Sequence, residues 1–212
     1  MKRMLLAGLA LALAGTSTAQ AQRARAVQLP ARWMLNAHSV AAFGASVTDP
    51  GELGTLRTGL GPGGGFQVGY AITPRLTAFA GVEAAKQGSR TDGIVGDFKL
   101  THIEAGARMT FPLRGESRVL PYAMATVGRR SLSTNLRDLL GNTGRIGLNG
   151  LTVGLGGGVQ YFLSPQLALD GGVNVGFGRF GGTLTDNGVS VPVPRLERTT
   201  IMRVMFGVNW YH

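Results

Sequence analysis

Apolar and polar positions alternate with a period of two along most of this chain, and the sense of the alternation is set by its last strand. Between Arg198 and Tyr211, Thr200, Met202, Val204, Phe206, Val208 and Trp210 share one face, while Arg203 and Asn209 fall on the other. The pattern recurs about eight times with no helices to cover the apolar faces, so lipid is the covering medium the sequence implies. The clearest predicted hairpin runs from Gly63 to Ala85, where Phe66, Val68, Tyr70 and Ile72 continue, after Thr73-Pro74-Arg75, into Leu76, Ala78, Ala80, Val82 and Ala84. Opposite them lie Gln67, Gly69 and Ala71, then Thr77, Phe79, Gly81 and Glu83. A second hairpin from Leu151 to Phe177 repeats the design around Ser164-Pro165-Gln166. A third pair places Thr101, Ile103, Ala105, Ala107, Met109 and Phe111, then Val119, Ala123, Ala125 and Val127, on its apolar face. The first strand, about Trp33 to Val47, has small residues that leave its inward parity open.

These elements predict an all-β fold: a closed antiparallel up-and-down transmembrane β-barrel of about eight strands over residues 33–212. The fold-level rival is a soluble β-sandwich. No charge interrupts the three clear apolar faces, and a Lys or Arg at the lipid midplane costs ~2–4 kcal/mol where a solvated sheet tolerates one freely. Connections alternate in length. Thr73 to Arg75, Pro112 to Arg118 and Ser164 to Gln166 are short and carry proline, whereas Thr48 to Pro62, Lys86 to Gly96, Ser131 to Asn149 and Gly181 to Glu197 are long. Short turns are expected at the periplasm and long loops outside. Tyr70, Phe111, Tyr161 and Trp210 then form an aromatic girdle near the short-turn ends, with Phe98 and Phe177 nearer the outer ends.

The N-terminus predicts the compartment. Lys2 and Arg3, the apolar run Met4 to Gly15 and the site Ala19-Gln20-Ala21 read as a signal peptide over residues 1–21, cleaved before Gln22. Residues 22–32 are then a periplasmic N-terminal segment. No later stretch approaches the ~20 apolar residues of a spanning helix.

Composition narrows the class further. The 34 glycines suit inward rows that must fit a narrow lumen, and charged residues make up only 15%. The absence of cysteine excludes a disulfide scaffold and thiolate metal sites. Twenty-one Lys and Arg against eleven Asp and Glu leave a basic chain. Its arginines divide between the short-turn side (Arg23, Arg25, Arg32, Arg75, Arg114, Arg118) and the long loops (Arg57, Arg90, Arg137, Arg145, Arg195), which fits lipid phosphates better than a nucleic-acid groove. The glycine runs at 61–65 and 154–158 lack the following Lys-Ser/Thr of a phosphate loop, and neither cradles a nucleotide.

The segment from Trp33 to Tyr211 resembles the small eight-stranded outer-membrane β-barrels typified by the membrane domain of outer membrane protein A. The likeness rests on strands such as Pro121-Tyr122 to Gly128, hairpin turns with Ser/Thr-Pro, and a terminal strand similar to the assembly signal of such barrels. Gly207, Trp210 and Tyr211 carry that signal, while His212 replaces the usual terminal aromatic. The resemblance implies barrel assembly machinery and periplasmic chaperones as partners in biogenesis, and outer-membrane lipids and lipopolysaccharide as surroundings. The chain is expected to act as a monomer in the outer membrane of a Gram-negative-type bacterium, without nucleic acid, cofactor or metal.

Chemistry would have to lie in the lumen. Glu83, Glu104, Arg108, Asp170 and Arg203 are expected there as an ion-pair network, with Glu83, Glu104 and Arg203 at one height and Arg108 and Asp170 lower, beside Tyr122 and Gln160. His102, Gln67 and Asn174 complete the polar lining. Three functions remain open: a structural or surface-interaction barrel plugged by these pairs, a narrow porin-like channel for ions or small solutes, and, resting on resemblance, a barrel hydrolase acting on lipid A. The hydrolase is poorly supplied. Glu104 shares a face with His102 but no serine stands nearby in sequence, and His38 and Ser39 point to opposite faces. The chain is therefore not read as an enzyme.

Overall fold

The computed structural model describes residues 32–43, 46–48, 55–57, 59–88, 97–113, 118–137, 143–186, 189–193 and 198–212. The signal peptide and, apart from Arg32, the periplasmic segment expected after it lie outside these residues. The chain forms β1 (Trp33–Phe43), the short pair β2 (Ser46–Thr48) and β3 (Thr55–Arg57), β4 (Gly61–Ala71), β5 (Leu76–Gly88) and β6 (Asp97–Thr110). There follow β7 (Val119–Arg137), β8 (Thr143–Ser164), β9 (Leu167–Arg179), the pair β10 (Gly181–Asp186) and β11 (Val189–Val193), and β12 (Arg198–Tyr211). Among the described residues there is no helix.

Eight strands close a cylinder, pairing antiparallel in the order β1, β4, β5, β6, β7, β8, β9, β12, and β12 pairs back to β1. At the seam Met34 lies opposite Tyr211 and Phe43 opposite Met202. Trp33 and His212 exchange two backbone hydrogen bonds of 3.2 and 3.0 Å there. Closure leaves no free edge around this part of the wall, so the backbone polar groups are satisfied within the sheet, as lipid requires.

Side-chain alternation separates wall from lumen. In β12, Met202, Val204, Phe206, Val208 and Trp210 face outward and Arg203, Met205, Asn209 and Tyr211 inward. The parity of β1 follows from its pairing with β12: Met34, Asn36, His38, Val40 and Ala42 are inside, and Trp33, Ala37, Ser39 and Phe43 outside. Phe98 departs from the expected outer-end girdle, because it points into the barrel and is fully buried, whereas Phe177 faces outward.

The connection expected over Ser131 to Asn149 is also corrected: β7 and β8 stay paired out to Arg137 opposite Thr143. β10 simply prolongs β9, since Thr152 lies opposite Gly178 and Asn149 opposite Gly181 in one continuous register along β8. The reason is a reversal of polarity. Nearer the short turns the wall is apolar outside, and the interior sets its polar groups beside buried Met34, Phe79, Leu120, Met124 and Phe162. Beyond it, Lys86, Lys99, Arg129, Ser131 and Asn149 face outward, while Ala85, Phe98, Leu100, Leu132, Leu148, Phe180 and Ile201 fill the interior. The strands there have the sense of a soluble sheet, polar outside and apolar inside.

Candidate functional site

The lumen is lined from all eight barrel strands. Its middle storey is built on Arg203 of β12, which is 1% exposed. Its Nη1 donates to Glu83 Oε2 at 2.5 Å and to His102 Nδ1 at 2.8 Å, and its Nη2 donates to Glu104 Oε2 and Asn174 Oδ1, both at 2.8 Å. One guanidinium thus ties β12 to β5, β6 and β9 across the interior. Gln67 of β4 donates to the other oxygen of Glu104 at 3.4 Å. Two glycines leave the needed room. A Cβ at Gly65 would lie 2.7 Å from His38 Nε2 and 2.6 Å from Glu83 Cγ, and one at Gly176 would lie 2.8 Å from Arg130 Nη2.

A second storey surrounds Asp170 of β9. Arg108 Nη1 and Tyr122 Oη donate to its two oxygens at 2.7 Å each, and Asn209 Nδ2 donates at 2.8 Å. The Arg108 guanidinium lies over the Tyr122 ring, 4.1 Å from its centroid. Below it Tyr211 donates to Gln160 Oε1 at 3.0 Å and stacks on Phe162 at 5.7 Å.

Sequence reasoning missed the residues that join the two storeys. His38 places Nε2 3.1 Å from Glu83 Oε1 and Nδ1 2.6 Å from Asn36 Oδ1. Asn36 then donates to Asn209 Oδ1 at 2.7 Å, so close polar contacts lead from Glu83 through His38, Asn36 and Asn209 to Asp170. Asn36 and His38 share an inward row with Met34, Val40 and Ala42, and that mixed row gives no clear polarity until its pairing with Asn209 is known. Arg130 of β7 was missed too. It is 1% exposed, and among the described residues none of its three guanidinium nitrogens has a hydrogen-bond partner.

The hydrogen bonding around His102 decides what this site can do chemically. An arginine N–H only donates, so the contact with Arg203 makes His102 Nδ1 the acceptor in a neutral ring that carries its proton on Nε2, while Glu104 Oε2 and Glu83 Oε2 lie 3.5 and 3.9 Å from the same Nδ1. Nε2 faces Thr152 Oγ1 at 3.3 Å, and Thr152 donates onward to Gly128 O at 3.5 Å. This polarity is the reverse of a general base, which must offer a lone pair to the hydroxyl it activates. Among the described residues no group of His, Asp and Glu is arranged to hold a metal ion.

On the outer wall Tyr70, Phe111, Tyr161 and Trp210 are exposed toward the short-turn end. Tyr70 stands edge-on to Trp33, with ring centroids 5.2 Å apart. Trp210 stacks on His212 at 5.4 Å, while its neighbour Tyr211 turns inward. A Cβ at Gly207 would lie 2.6 Å from that of His38, which ties this glycine to close packing at the seam.

The model of the outer membrane protein beta-barrel domain family matches residues 7–193. A search of curated proteins gives no match. Among solved structures, Neisserial surface protein A (NspA) is 21% identical, with 84% of this chain and 96% of that one covered at a TM-score of 0.59. A major outer membrane protein from Thermus thermophilus is 17% identical, with 85% and 99% covered at 0.59. The outer membrane protein OprG from Pseudomonas aeruginosa is 9% identical, with 87% and 97% covered at 0.53. At these identities the likeness is one of fold.

Proposed function

The chain belongs to the outer membrane protein β-barrel family, and from that premise we propose that it is a structural and surface-interaction barrel whose lumen is closed to solutes. The observation that carries this reading is Arg203, fully buried and bonded to groups from β5, β6 and β9. An eight-stranded interior is just wide enough for side chains to meet across it. The apolar layer of Phe98, Leu100, Leu132, Leu148 and Phe180 adds a second barrier beyond this network. Between the two, a cavity bordered by Val40, Leu100, His102 and Arg203 has a volume of about 10 Å³, room for roughly one water.

In this reading the short turns face the periplasm and the prolonged strands β7, β8, β10 and β11 stand outside, where they meet lipopolysaccharide or external ligands. Residues 1–21 direct export, and periplasmic chaperones and the assembly machinery deliver the chain, with Gly207, Trp210 and Tyr211 as the recognised end of β12. The barrel acts as a monomer. His102 serves the network and not a reaction, in keeping with the polarity of its bond from Arg203.

Planar-bilayer recording of the purified protein tests the closed lumen. No steady conductance is expected. Stable open steps that widen in Glu83→Gln or Arg203→Gln would overturn it and establish the narrow channel.

A further inference from the structure

On the outward face a cleft of about 940 Å³ opens where β7, β8 and β9 cross the reversal of polarity. Its upper part is formed by Arg129, Asn149 and Arg179, all exposed, and its lower part by Leu151, Val153 and Phe177, which are 73%, 59% and 47% exposed. None of the residues lining it is acidic. Arg129 Nη2 donates to Asn149 Oδ1 at 3.0 Å, a neutral contact that leaves the guanidinium charge uncompensated. Arg179 has no acidic partner among the described residues.

We infer that this cleft binds the phosphorylated lipid anchor of lipopolysaccharide, with a phosphate between Arg129 and Arg179 and an acyl chain along Leu151, Val153 and Phe177. Two planar guanidinium forks and an amide suit the several oxygens of a phosphate, which they can engage in pairs. An occupant must also carry hydrocarbon, because the surface immediately below is apolar and faces the membrane. The height agrees with a headgroup. Arg75, just before β5, and Lys86 on it lie eleven residues apart, as do Arg118, just before β7, and Arg129 on it, and each pair bounds a charge-free outward stretch. At ~3.4 Å per residue and a tilt of ~40° that spans roughly 28 Å, close to the ~25 Å apolar band of such barrels. The cations at its upper limit therefore stand at the level of the outer headgroups.

The inference rests on the orientation proposed above, and its test separates the two. The folded protein in detergent micelles is titrated with lipid A, with dephosphorylated lipid A and with inorganic phosphate, and bound species are counted by native mass spectrometry. The wild type is expected to bind lipid A at least about tenfold more tightly than the dephosphorylated form, and R129Q/R179Q to lose that preference. Phe177→Ala is expected to weaken both lipids about equally. Inorganic phosphate is expected to give no saturable binding. Equal affinity for the two lipids, an unchanged double variant, or phosphate binding as tight as lipid A would each overturn the site. Heat-dependent gel mobility verifies that the variants remain folded. Because the chain has no cysteine, Thr183→Cys on β10 supplies a single label: failure to react with an impermeant reagent on whole cells would refute the orientation without touching the binding result.

Discussion

Arg203 and Arg130 occupy the same lumen and are equally buried, yet among the described residues the first meets four acceptors and the second none. The difference lies in which zone of the barrel each arginine enters. Arg203 enters a zone where it reaches Glu83, His102, Glu104 and Asn174, although the side chain opposite it on β1 is Ala42. Arg130 lies at the edge of that zone, where the inward rows pass to Leu100, Leu132, Leu148 and Phe180. A charge in a narrow barrel is stabilised by its storey and not by the lumen as a whole.

The sharpest way to break this contrast is to remove the partnered guanidinium. Arg203→Met leaves Glu83 and Glu104 buried without their cation and is expected to cost ~3–5 kcal/mol, measured by denaturant unfolding in detergent. A loss below about 1 kcal/mol would show that the carboxylates find water or protons instead. The wall offers a second comparison across the same boundary. Leu155→Arg, in the lipid zone, is expected to cost ~2–4 kcal/mol in lipid bilayers, whereas Ser131→Arg, beyond the reversal, changes stability by less than about 0.5 kcal/mol. Equal tolerance at the two sites would remove the reversal as a membrane limit. The smallest effect is expected at Arg130→Met, which exchanges an unpaired buried charge for a side chain of similar length. Stability should stay within about 1 kcal/mol or rise. A clear loss in the same unfolding experiment would mean that Arg130 is held by a partner within the lumen.

The same boundary explains what could be read from the residues. Eight strands, the outward rows and the two heights of lumen charge are legible because a polar-in, apolar-out alternation is distinctive and Arg203, Glu83 and Glu104 share its parity. Beyond the boundary the alternation reverses. Ser131, Ser133 and Asn149 then read as loop, although Leu132 and Leu148 behind them pack a core. Phe98 reads as outward on the same ground. Asn36 and His38 escape for another reason. Their row mixes Met34, Val40 and Ala42 with polar groups because β1 crosses both the hydrogen-bonded and the apolar layers within one short strand. Its register against β12 carries the missing information, and that register is not local.

The distance that hides this register also orders assembly in time. Asn36 and Asn209 stand 173 residues apart in the chain but 2.7 Å apart at the seam. Bringing two such segments together costs roughly 4–5 kcal/mol in loop-closure entropy if nothing between them is yet ordered. The hairpins β4–β5, β6–β7 and β8–β9 have no comparable handicap, since each is joined by a short turn. The β1–β12 ladder is consequently without a local precursor: it is expected to form last, and until it does, one edge of each of these two strands is open to pairing with another chain.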